Sequence, residues 1–132
     1  MNNYLLDSFA LLRFFQKEPG HEPVKAILDD VQRGTACAML NVITMGEVIY
    51  TVQRRFGRCY KLDVVMNISR IGIEVLPATN DCVFRAAELK AQFAMSYADT
   101  FVVASAMEHN ATVVTGDPEF RQVEALVKIL WI

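Results

Sequence analysis

The stretch Ser96-Tyr-Ala-Asp99-Thr-Phe-Val-Val-Ala-Ser-Ala-Met107 constrains this chain more than any other. From Phe101 to Met107 it is apolar on nearly every side, and a helix that is hydrophobic all round has to be buried. Its only acid is Asp99, at the entrance. A carboxylate taken out of water without a partner is costly, so Asp99 needs a reason. One reason is structural: Ser96-x-x-Asp99 fits a capping box, and the acid is favoured by the positive end of the helix dipole. The other is that Asp99 faces a metal ion.

The remaining segments alternate around that helix. Asn3 to Leu6 reads as a short buried strand, followed by a helix from Ser8 to Gln16 with Phe9, Leu12 and Phe15 on one face. Pro19-Gly20 stops it, and a second helix runs from His21 to Gln32, ended by Gly34. Thr35 to Leu40 is the second strand. A third helix opens at Thr44 and closes near Gly57, and a fourth spans Arg58 to Arg70. Gly72 to Pro77 is the third strand. Asp81 to Phe93 is helical, with Val83, Ala86, Ala87 and Leu89 inside. After the all-apolar helix come a strand at Ala111 to Thr115, a short helical turn from Pro118, and a last strand at Val127 to Ile132. This alternation predicts an α/β fold: a three-layer α-β-α arrangement around a mostly parallel sheet of about five strands. The hydrophobic content of 53% suits a sheet covered on both faces.

With 132 residues the chain is expected to be one domain, residues 1–132. No apolar run approaches the ~20 residues of a membrane span. The start lacks a basic region, and Asp7 interrupts the first apolar run, which argues against a secretory signal. The three cysteines, Cys37, Cys59 and Cys82, form no CxxC, so a cytoplasmic setting without disulfides or a zinc site is expected. The net charge of -2 excludes a strongly basic nucleic-acid coat but leaves room for a local basic groove.

Four acids share an address. Asp7 ends the first strand, Glu47 is expected in the first turn of the third helix, Asp99 opens the buried helix, and Asp117 follows the fourth strand. Ligands of open α/β sheets bind beyond the carboxyl ends of the strands. Capping accounts for each acid singly: Asp7 as an N-cap, Thr44-x-x-Glu47 as a capping box, and Asp117 as an N-cap before Pro118. It does not account for their common location. Carboxylates crowded into one depression repel and their pKa values rise. A hard divalent cation, Mg²⁺ or Mn²⁺, relieves this, and such a site can activate water and hold a phosphodiester in line.

Four motifs in order carry a resemblance: Leu5-Leu6-Asp7-Ser8, Thr44-Met-Gly-Glu47-Val-Ile-Tyr50, the Ser96 stretch, and Val114-Thr115-Gly-Asp117-Pro-Glu-Phe120. Over its whole length the chain resembles PIN-domain proteins, specifically the small toxin ribonucleases of the VapC type. The resemblance implies a parallel sheet between helices and an active Mg²⁺- or Mn²⁺-dependent endoribonuclease cleaving single-stranded or exposed RNA. It places the metal-binding and catalytic acids at Asp7, Glu47, Asp99 and Asp117, with Ser8 and Thr115 as supporting hydroxyls. It also implies a homodimer and a cognate antitoxin protein that lays a segment in the groove.

An RNA groove needs cations on its rim. Arg54, Arg55 and Arg58 cluster at the end of the third helix, and Arg13 lies about one turn past Asp7. Each also has an ordinary reading, as a solvated helix end that suits the dipole or as a side chain snorkelling from an apolar face. Tyr50, Phe56, Tyr60 and Tyr97 are candidates for base stacking or for plain packing. Competing functions are an RNA-processing nuclease outside any toxin pair, an idle relative that only binds, a receiver-like signalling domain, and an aspartyl phosphatase. The receiver wants adjacent acids after the first strand, and the phosphatase wants Asp-x-Asp where position 9 is Phe.

Overall fold

The computed structural model describes residues 1–132. The elements are β1 (Asn2–Leu6), α1 (Ser8–Gln16), α2 (His21–Gln32), β2 (Ala36–Asn41), α3 (Val42–Phe56), α4 (Arg58–Ile71), β3 (Glu74–Leu76), α5 (Asn80–Gln92), α6 (Tyr97–His109), β4 (Thr112–Thr115), a 3-10 helix (Pro118–Val123) and β5 (Ile129–Trp131). The five strands form one sheet in the order β3-β2-β1-β4-β5. Every pairing is parallel, so the sheet is wholly rather than mostly parallel.

The pleat explains how a mostly apolar chain fills two layers. Successive strand residues point to opposite faces. Leu5, Met39 and Val113 lie in register across β1, β2 and β4 and enter one core, with α5 and α6. Their neighbours Leu6, Leu40 and Val114 enter the other, with α1, α2, α3 and α4. As its composition requires, α6 is buried from Asp99 through Ala106 without a solvent face.

Two expectations change. First, α3 begins at Val42 rather than Thr44, because β2 runs into it without a loop and Asn41 supplies the N-cap, its side chain accepting from the Ile43 amide at 2.9 Å. Thr44 is therefore inside the helix, with its hydroxyl buried and unpaired, and the Thr44–Glu47 capping box does not form. Glu47 falls in the second turn. Second, Ala87 is exposed; the inner face of α5 is Cys82, Ala86 and Leu89, three to four residues apart as a helix demands. The Lys90 ammonium donates to the Met95 carbonyl at 2.7 Å and ties down the α5–α6 connection.

Candidate metal centre

The carboxyl ends of β1 and β4 deliver the first part of the site. Asp7 directly follows β1 and caps α1, one carboxylate oxygen accepting from the Ala10 amide at 2.8 Å. The other oxygen accepts from the hydroxyl of Thr115, the last residue of β4. The same Thr115 oxygen accepts from the Asp117 amide at 3.0 Å. One hydroxyl thus joins two of the acids. Asp117 in turn caps the 3-10 helix, accepting from the Glu119 amide at 3.0 Å, with Pro118 at the first helical position.

Gly116 is needed between them. A Cβ there would stand 2.3 Å from Phe9 Cε1 and 2.9 Å from the Ile132 carbonyl oxygen. No side chain fits, so the Phe9 ring presses directly on the backbone that aims Asp117.

α6 delivers Asp99. Ser96 caps the helix, its hydroxyl oxygen accepting from the Asp99 amide at 3.1 Å. Only 8% of Asp99 is exposed. Carboxylate oxygens of Asp99, Asp117 and Glu119 lie within 4.8 Å of one another. Glu47 approaches from α3, with Oε1 buried and without a hydrogen-bond partner.

The electrostatics follow from this packing. Burial pushes the Asp7 carboxyl up to about 7; the bonds from Thr115 and Ala10 oppose the rise, and the charges of Asp99 and Asp117 add to it. Burial also pushes Asp99 up to about 7, opposed by Ser96 and reinforced by Glu47, Asp117 and Glu119. Glu47 is raised by burial, with a hydrogen bond from Ser8 working the other way. Asp7, Glu47, Asp99 and Asp117 therefore come close enough to act on one another, although the tight cluster is Asp99, Asp117 and Glu119. Capping and clustering are both real: Asp7 and Asp117 do each at once.

Glu119 does not stand out in the sequence. Its signal is faint: an acid two residues after a Pro-started N-cap looks like dipole complementation. The hydroxyls of Ser8 and Thr115 do stand beside carboxylates. The basic residues do not join the acids directly. Arg13 pairs with Glu18 at 2.8 Å and covers the Phe9 ring at 4.6 Å. Arg54 lies over Tyr50 at 5.4 Å and Arg55 over Phe56 at 5.3 Å. Arg54 is seven residues past Glu47, about 10 Å along α3. The Tyr60 hydroxyl donates to the Phe15 carbonyl at 3.2 Å, so this ring is held in packing. A depression of about 680 Å³ lies at the opposite, amino end of β1 and β4, away from the acids.

The residues fit a hard cation. All the donors are carboxylate oxygens, which suit Mg²⁺ or Mn²⁺. Octahedral Mg²⁺ spaces its ligand oxygens by about 3–4 Å, and Glu119, exposed on the 3-10 helix, is free to close the remaining gap. No helix is long and apolar enough to cross a membrane.

Comparison with known proteins bears on the family and the fold. A family model described as the PIN domain matches residues 4–126. No curated protein sequence matches the chain. Among solved structures, DNA-bound VapBC from Salmonella typhimurium superposes with a TM-score of 0.77 at 18% identity, over 98% of either chain. VapBC2 from Rickettsia felis, bound to a promoter DNA fragment, gives 0.75 at 17% identity over 97% of either chain. The sarcin-ricin loop cleaving toxin VapC20 from Mycobacterium tuberculosis gives 0.71 at 13% identity, over 91% of this chain and 94% of that one. At these identities the structural likeness speaks for the fold.

Proposed function

This chain belongs to the PIN-domain family, and from that premise we propose that residues 1–132 form one metal-dependent endoribonuclease unit, the toxin of a toxin–antitoxin pair. The observation that carries the reading is the cluster of Asp99, Asp117 and Glu119, with Asp7 and Glu47 desolvated beside it. Buried like charges without a cation are a standing penalty that a fold serving only itself has no cause to keep.

Asp99, Asp117 and Glu119 would hold Mg²⁺ or Mn²⁺, with Asp7 and Glu47 flanking. A bound cation supplies acidified water near neutral pH and neutralises charge on the phosphodiester. Asp7 is oriented by Thr115 and Ala10, so its carboxylate is fixed before substrate arrives. Ser8 does the same for Glu47. In the metal-free chain the carboxyls of Asp7 and Asp99 rise to about 7, so a cation has to displace their protons when it binds. Arg54, Arg55 and Arg58 would bind the phosphate backbone along the rim. A homodimer in the cytoplasm, silenced by an antitoxin, completes the proposal; a toxin–antitoxin complex from Klebsiella pneumoniae is among the structures of the same fold.

The test is RNA cleavage with Mg²⁺ or Mn²⁺, beside an Asp99→Asn variant and an EDTA control. Cleavage lost in both controls supports the reading. Equal cleavage by wild type and Asp99→Asn would sink it.

A further inference from the structure

Three buried side chains, Asn41, Ser105 and Cys82, meet one another away from the acidic cluster. Asn41 and Ser105 are each 1% exposed. The Asn41 carbonyl oxygen accepts from the Ile43 amide at 2.9 Å and so caps α3. Its Nδ2 donates to Ser105 Oγ at 3.0 Å and approaches Cys82 Sγ at 3.5 Å, while Ser105 Oγ lies 3.9 Å from that sulfur. A primary amide in an apolar core is costly unless satisfied. Asn41 meets that demand by bonding two different helices with its two ends.

Those helices carry two of the acids. α3 holds Glu47 and α6 holds Asp99, and the Glu47 charge acts on Asp99. Like charges at the junction push α3 and α6 apart, most strongly when no cation lies between them. An apolar contact below them would fill space but would let the helices slide. A hydrogen bond is directional and fixes both distance and register.

We infer that Asn41 and Ser105 are positioning residues: their bond sets the spacing of Glu47 against Asp99, and through it the affinity of the acidic site for a divalent cation. The inference rests on the metal-site reading above.

The test is Mn²⁺ binding to the intact protein at pH 7.5, measured by calorimetry and by the EPR signal of free Mn²⁺. Two variants break the tie: Ser105→Ala removes the acceptor, and Asn41→Ser keeps a cap for α3 but is too short to reach α6. Val64→Ala is the control, a core truncation on α4 at a residue 3% exposed. The tie variants should bind Mn²⁺ about three- to tenfold more weakly, somewhat less than the loss of a group bonded directly to a ligand. Val64→Ala should keep wild-type affinity at an equal or greater loss in melting temperature. Wild-type affinity in folded Ser105→Ala would overturn the inference and leave the metal site standing. So would an equal loss in Val64→Ala, because general loosening would then explain the effect. A wild-type protein that binds no Mn²⁺ would overturn the metal-site reading itself, and the tie with it. Should Asn41→Ser fail to fold, Ser105→Ala decides alone, since alanine is well tolerated inside a helix.

Discussion

Replacing Asp7 by Asn should make the metal-free protein more stable and the enzyme inactive. Asp7 is 2% exposed, and its carboxyl rises from 3.8 to about 7 on folding. Between those values the folded chain holds a proton that the unfolded chain has given up. Stability from this group is therefore fully present below pH 4 and is lost as pH rises through 7. Above pH 7 the whole difference, ~4 kcal/mol, weighs against the fold. Asparagine carries no charge, so that penalty disappears. It also disturbs the bond with the Thr115 hydroxyl, which has to turn so that Asn Nδ2 can donate to it, at a cost of ~1–2 kcal/mol. The net gain at pH 8 is then ~2–3 kcal/mol. For 132 residues the unfolding entropy of ~2.1 cal/mol/K per residue converts this into a rise of about 7–11 °C. Thermal unfolding followed by circular dichroism in EDTA, at pH 8 and pH 5, measures it. At pH 5 wild-type Asp7 is largely protonated in the fold, and the gain should shrink to about zero. An Asp7→Asn melting temperature equal to or below wild type at pH 8 would refute the claim that this carboxylate is held at a cost.

Mn²⁺ should bind wild-type protein more tightly as pH rises from 6 to 8, because the cation has to displace protons held by Asp7 and Asp99 near 7; calorimetry in buffers of different ionisation heat would show proton release, and a flat profile would contradict the shifts. Gly116→Ala should destabilise by ~1–3 kcal/mol through overpacking against Phe9, with part of the loss recovered by adding Phe9→Ala, as read by chemical denaturation. Leu5→Ala, at a residue with no exposure in the central strand, should cost ~2–5 kcal/mol in the same assay. Arg54→Ala with Arg58→Ala should weaken RNA binding and flatten its salt dependence by ~0.7 in log–log slope for each phosphate no longer neutralised; an unchanged slope would remove these residues from the groove.

The layers are legible in the sequence because they rest on local signals. Phe101 to Ala106 allow only a buried helix, and the strands Asn2–Leu6 and Thr112–Thr115 announce themselves as short apolar runs next to Asp and Gly. The acids are legible as a set because each stands at an element boundary. What escapes depends on packing across the fold. Thr44 and Glu47 have the spacing of a capping box, yet Asn41 takes the cap, because β2 enters α3 without an intervening turn. The partner of Asn41 is Ser105, 64 residues away, and no periodicity predicts it. Glu119 looks like an ordinary first-turn acid until Asp99 is brought beside it. The bond from Lys90 escapes too, because its carbonyl partner belongs to a connection with no regular structure of its own.

β1 lies in the middle of the sheet, yet it is the first strand of the chain, and one of its neighbours is made near the end. Tyr4 to Leu6 pair with Thr112 to Val114. During synthesis that side of β1 stays open until more than a hundred further residues have left the ribosome, and Thr115 and Asp117 arrive with the strand that closes it. A translation product broken off before residue 112 would hold Asp7, Glu47 and Asp99 but nothing to gather them. In the RNA-cutting role proposed above, this geometry would delay cleavage until the polypeptide is nearly made and deny it to fragments.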